Sequence, residues 1–131
     1  MAQKQGASST TSGRVGAEIG TATAAADYVL GVGWGATGSV TDVRTGSNDQ
    51  AGQFTITAAG GSYAQATATV TLTFKDGAYA SAPRTVIITN VNAVAIDTGH
   101  TSYTCSTTAL VITYKVLPAA GTYTFDYLVV A

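Results

Sequence analysis

The only histidine, His100, lies in Asp97-Thr98-Gly99-His100. Serine-type hydrolysis would need that imidazole oriented by an acid and placed against a serine. Serines are plentiful, but no Gly-x-Ser-x-Gly turn is present to expose one. One histidine also cannot assemble a zinc site by itself. The carboxylates are Glu18, Asp27, Asp42, Asp49, Asp76, Asp97 and Asp126. Glycoside hydrolysis needs two of them facing each other across a cleft, and no spacing pairs them. Asp76 reads as a turn residue. Asp49 ends the polar loop Gly46-Ser47-Asn48-Asp49, which lacks the acidic spacing and closing Glu of a calcium loop. Cys105 has no second cysteine to pair with and reads as a small apolar strand residue. The expectation is a non-enzymatic chain with no catalytic residues, no metal and no cofactor.

Three further patterns invite a chemical reading. Gly33-x-Gly35-x-x-Gly38 matches the dinucleotide fingerprint letter for letter. That chemistry requires a helix after the glycines, to meet the pyrophosphate with its N-terminus. Here Ser39-Val40-Thr41 follows, which reads as strand, so a tightly turning loop is the better account. Tyr63, Tyr79 and Tyr103 lie near expected loops and would suit a sugar platform, although tyrosines in β proteins serve mostly as core or rim. The threonines from Thr67 to Thr73 alternate on one strand, but an ice-ordering surface would repeat that row over many strands at a fixed period.

The elements that must position these residues follow from composition and periodicity. The chain has 131 residues, one domain's worth. It carries 23 Thr, 23 Ala and 15 Gly but a single Glu, and only 10% of its residues are charged. Strands and turns are favoured over long helices. Net charge is −1, and Lys4, Arg14, Arg44, Lys75, Arg84 and Lys115 are scattered. Nucleic-acid binding or a basic membrane-binding face would need them clustered. Residues 5–20 hold no signal-like apolar run, and polar residues interrupt the uncharged stretch 50–74, so no transmembrane helix is expected. The chain reads as soluble and made in the cytoplasm.

Residues 1–26 are rich in Gly, Ala, Ser and Thr and too poor in large apolar residues to fold alone. They read as an arm that orders on a partner. Residues 27–36, with the only Trp, Trp34, form either a first strand or an anchoring loop. Period-two alternation then predicts strands over 39–44, 53–58, 66–74, 84–91, 101–106, 109–116 and from 122 onward. Phe54 and Ile56, then Val70 and Leu72, then Tyr123, Phe125, Tyr127 and Val129 share faces. Seven or eight such strands predict an all-β antiparallel sandwich, jelly-roll-like, over 38–131, with 1–37 as arm and anchoring segment. Val86-Ile87-Ile88, Ala109 to Tyr114 and Tyr127 to Ala131 are apolar, β-prone and uncharged. Bare edges of this kind need a cover, and a symmetric partner is one.

Several segments resemble a family of bacteriophage virion proteins. They are Gly38-Ser39-Val40-Thr41-Asp42, Asp49-Gln50-Ala51-Gly52-Gln53-Phe54-Thr55-Ile56-Thr57, Ala68 to Phe74, Tyr79-Ala80-Ser81-Ala82-Pro83-Arg84-Thr85-Val86 and Gly121-Thr122-Tyr123-Thr124-Phe125-Asp126-Tyr127. The resemblance implies a small β-sandwich, often trimeric, of the kind found in tail-fibre tips, head fibres and capsid decoration proteins. A short arm with one sandwich suits a decoration (cement) protein, which would sit as a homotrimer on the major capsid protein and stabilise the virion head. Gln3, Lys4, Arg14 and Glu18 would be the arm's polar contacts with the capsid. The alternative is a receptor-binding tip that meets a host glycan or surface protein through Asn48, Asp49, His100 and Tyr103.

Overall fold

A computed structural model of the chain describes residues 20–90 and 101–131. Two four-stranded antiparallel sheets face each other. The strands are β1 (Tyr28–Leu30), β2 (Ser39–Val43), β3 (Ala51–Ala58), β4 (Thr69–Thr73), β5 (Thr85–Asn90), β6 (Thr101–Cys105), β7 (Ala109–Tyr114) and β8 (Gly121–Val130). One sheet has the order β1-β4-β7-β6 and the other β2-β3-β8-β5. Hairpins join β2 to β3 and β6 to β7, and every other connection crosses between the sheets. The described helical segments are single 3₁₀ turns, and none is long and apolar enough to cross a membrane.

Alternation builds the core. Phe54, Ile56 and Ala58 of β3 point inward, as do Tyr123, Phe125, Tyr127 and Val129 of β8. Val70 and Leu72 of β4, with Leu110, Ile112 and Tyr114 of β7, meet them from the other sheet. The outward residues pair across strands: Thr41 with Thr57 at 3.0 Å, Thr55 with Thr124 at 2.9 Å, and Gln53 Nε2 donating to Asp126 Oδ1 at 2.8 Å. The threonine row on β4 lies in the other sheet, where half-buried Thr69 and Thr71 and exposed Thr73 stand opposite Thr113, Val111 and Ala109 of β7. Its first member, Thr67, falls short of the strand, because Gln65–Thr67 form a 3₁₀ turn before β4.

The sandwich draws on residues ahead of 38. Tyr28–Leu30 form the edge strand β1, in register with Val70–Leu72 of β4. Trp34, in the 3₁₀ turn Val32–Trp34, inserts between the sheets beside Tyr114, Tyr123 and Phe125. Of the three uncharged apolar stretches, only Val86-Ile87-Ile88 lies on an edge. Ala109–Tyr114 is flanked by β4 and β6, and the final stretch of β8 by β3 and β5. Neighbouring strands pair the backbones of those two, although Leu128 and Val130 of the last stretch keep their side chains exposed.

Candidate functional site

A polar cluster lies where the segment 20–27 crosses the loop 44–50 and the turn 74–79. The segment is strapped down at several points. Asp76 accepts the Thr21 N–H at 2.8 Å and also the Thr21 hydroxyl. Thr23 N–H donates to Ser47 O at 2.7 Å. Lys75 Nζ donates to Ala22 O at 3.1 Å and to Asp27 Oδ2 at 3.0 Å. Asp27 Oδ2 in turn accepts Ala24 N–H at 2.7 Å, closing the 3₁₀ turn Ala25–Asp27.

Beneath the strap runs a buried hydroxyl chain. Thr23 and Tyr28 meet at 2.8 Å, Tyr28 and Tyr127 at 2.8 Å, and Tyr127 donates to the carbonyl of Asn48. A carbonyl only accepts, and each hydroxyl has one proton. Tyr127 therefore spends its proton on Asn48, Tyr28 donates to Tyr127, and Thr23 donates to Tyr28. Burial pushes the Tyr127 and Tyr28 phenols up from their ordinary value, so both stay neutral at physiological pH and act as fixed dipoles.

The loop is held from within. Asn48 Oδ1 accepts Gln50 N–H at 2.9 Å and Ala51 N–H at 3.2 Å, an Asx-type turn. Asp49 Oδ2 accepts Asp76 N–H at 2.8 Å, while its buried Oδ1 has no hydrogen-bond partner. Asp49 and Asp76 also line, with Gln50 and Tyr79, a cleft of about 300 Å³.

Replacing Tyr127 with Phe removes the donor to Asn48 and leaves the buried Tyr28 proton without its acceptor. The expected loss is about 1–3 kcal/mol. Urea denaturation of Tyr127→Phe, Tyr28→Phe and the double variant checks it, and non-additive losses are expected because the hydroxyls share one chain. Acid should loosen the strap first. The two Thr21 hydrogen bonds hold the Asp76 carboxyl below its ordinary value, and the Ala24 N–H, followed by Lys75, does the same for Asp27. Depressed carboxylates stabilise the fold above their unfolded value, near pH 4, and that contribution disappears as pH falls through the folded values. Amide exchange at Thr21 should therefore accelerate below about pH 4 relative to β8 amides. Asp76→Asn should flatten that dependence.

Of the residues expected at functional positions, Gln3, Lys4, Arg14, Glu18 and His100 lie outside the described residues. Asn48 and Asp49, expected on a receptor-facing loop, are instead 1% and 5% exposed. Their side chains satisfy backbone N–H groups of their own loop and of the facing turn, and that role draws them inside. Tyr103 is 39% exposed on β6, and its hydroxyl accepts Val86 N–H of β5 at 3.3 Å, tying one sheet's edge to the other's. Tyr79 packs edge-on against Phe74, and Tyr63 is half-buried against the core, so the three loop tyrosines are not brought together as one platform. Cys105 is half-buried, and burial pushes its thiol up, away from the reactive thiolate.

The glycine fingerprint has a packing origin. A Cβ on Gly33 would lie 2.1 Å from Ala64 O, and one on Gly38 2.7 Å from Trp34 O. Ser39–Val43 continues the chain as strand, so no helix N-terminus follows the motif. Thr23, Tyr28 and Tyr127 carried no sequence signal for the cluster, since they lie up to 104 positions apart and each reads locally as an ordinary arm or strand residue.

No protein-family model, curated protein or solved structure matches the chain. The fold and site together define an all-β sandwich whose own N-terminal strap is clamped across one end.

Proposed function

We propose that the chain is a non-enzymatic bacteriophage virion protein that decorates the capsid surface as a homotrimer and stabilises it. It would bind the major capsid protein through the arm that precedes the strap. The observation that carries this reading is the clamp on residues 21–27. It holds Gly20 at one end of the sandwich, so a Gly/Ser/Thr-rich segment with Gln3, Lys4, Arg14 and Glu18 is tethered at a fixed point. Self-association is supported by an apolar corner at the free edge of the β2-β3-β8-β5 sheet. Ile87 of β5 faces Leu128 of β8 across the ladder, and both are exposed with Val130. Repeated contacts from one trimer would add avidity without any single strong site.

The test removes residues 1–19 and keeps the strap, because a cut at 26 would also delete the Thr21 and Thr23 contacts. The expected result is gold-antibody label spread over intact heads for the full chain, and loss of head binding with an unchanged unfolding midpoint for the truncated one. Unchanged head binding sinks the arm's role. Label confined to the tail tip favours the receptor-binding alternative, and a monomer in sedimentation equilibrium removes the trimer.

A further inference from the structure

Asp76 and Gly77 form an Asp-Gly pair in the turn between Phe74 and Tyr79. In such a pair the backbone nitrogen of the second residue can attack the side-chain carboxyl carbon of the first, closing a five-membered succinimide. A Cβ on the second residue would crowd that approach, and glycine has none. The turn leaves the attack room. Both residues are exposed, Gly77 has φ +95°, and nothing stands within 4 Å of where its Cβ would be. Among the described residues no acceptor holds the Gly77 N–H. The carboxyl, by contrast, is held. Asp76 Oδ2 accepts Thr21 N–H at 2.8 Å and Oδ1 accepts the Thr21 hydroxyl, while Asp76 N–H donates to Asp49 Oδ2 at 2.8 Å. Hydrogen bonds to both oxygens tie the side chain to the strap and favour the carboxylate. The carboxylate is the unreactive form, because the departing oxygen leaves as water and so needs the acid.

We propose that Asp76 is a modification site that isomerises spontaneously to isoaspartate, and that Thr21 of the strap governs the rate. The reaction balances with water alone. The Gly77 nitrogen loses its proton and bonds to Asp76 Cγ, the Cγ–OH bond breaks, and one water leaves. Water then reopens the ring. Breaking the Cγ–N bond restores aspartate. Breaking the bond from the Asp76 main-chain carbonyl carbon to the Gly77 nitrogen leaves the chain running through Cβ and Cγ, with that carbonyl carbon now a free carboxylate. The turn gains one methylene in its backbone, and the carboxylate leaves the position that Thr21 clamps. Each isomerised chain thus loses the two Thr21 contacts that delayed the reaction, and residues 20–22 keep only the Lys75 hydrogen bond to Ala22 O. The inference does not depend on what the arm ahead of the strap binds.

The test incubates the full chain at neutral pH, both native and unfolded in guanidinium chloride. It follows the chymotryptic peptide Lys75–Tyr79, whose aspartyl and isoaspartyl forms separate by reversed-phase chromatography and differ on electron-transfer fragmentation. The expected result is isoaspartate at Asp76 in every sample, slowest in the native chain and fastest in the unfolded one. Native Thr21→Val, which deletes the hydroxyl contact, should react about threefold or more faster than the native parent. Gly77→Ala should suppress the reaction in the unfolded chain, where only the crowding by its Cβ acts. Equal rates for native and unfolded chains overturn the proposal. Equal rates for the native parent and Thr21→Val, both slower than the unfolded chain, would place the protection in the turn itself and overturn the role of the strap. No isoaspartate in the unfolded chain would remove the site.

Discussion

Trp34→Ala is expected to lower the unfolding free energy by about 3–5 kcal/mol, the cost of emptying a large aromatic site in a packed core. Small domains have about 5–15 kcal/mol in total, so the variant should sit near the edge of folding. Trp34 is 1% exposed and stacks on Tyr114 of one sheet with centroids 5.5 Å apart. It also lies 5.3 Å from Tyr123 and 6.2 Å from Phe125 of the other sheet. The site is walled by strands of both sheets, so it cannot collapse without moving one against the other. Its indole Nε1 donates to Thr69 O at 2.9 Å, but that carbonyl also accepts Gly31 N–H at 2.8 Å. Trp34→Phe should therefore lose only about 1 kcal/mol for the hydrogen bond plus the smaller volume. Urea midpoints at unchanged m-value read both. A loss under about 1.5 kcal/mol for Trp34→Ala would mean that the ring is not the wedge between the sheets.

Gly35→Ala is expected to cost about 3 kcal/mol or more, from two sources that add. Gly35 has φ +100° and ψ 164°, a region essentially closed to residues with a Cβ. A Cβ there would also stand 2.1 Å from Ala59 O and 2.8 Å from the Tyr63 ring. The carbonyl is backbone, so relief requires displacing the end of β3. Gly46→Ala is the control. Its φ is +88°, but a Cβ would meet nothing within 4 Å, so only the conformational penalty of about 1–2 kcal/mol applies. Equal losses at the two positions would show that the contact with Ala59 yields freely. The same experiment bears on the nucleotide-like spelling of Gly33-x-Gly35-x-x-Gly38, since a packing origin makes each glycine a stability position.

Alternation along the chain was enough to determine the two-sided character of the strands. Phe54 and Ile56, Val70 and Leu72, and the Tyr123–Val129 set all point inward as their spacing requires, because successive strand residues face opposite sides whatever the neighbours are. Turn chemistry likewise placed the breaks, as at Lys75-Asp76-Gly77, where Gly77 adopts φ +95°. Tertiary structure alone decided which apolar stretch is an edge. Ala109–Tyr114 and Tyr127–Val130 look as bare as Val86–Ile88 in sequence, and only the sheet order shows that two of them are central. It also decided the fate of Asn48 and Asp49, which read as an exposed polar loop and became buried supports. A polar side chain goes where its unpaired partners are. Asn48 Oδ1 meets N–H groups of its own loop, but the Asp76 N–H that Asp49 accepts and the Tyr127 hydroxyl on the Asn48 carbonyl come from distant parts of the chain. Side-chain period is a local property of the backbone, whereas the pairing of buried polar groups depends on which segments the sandwich brings into contact.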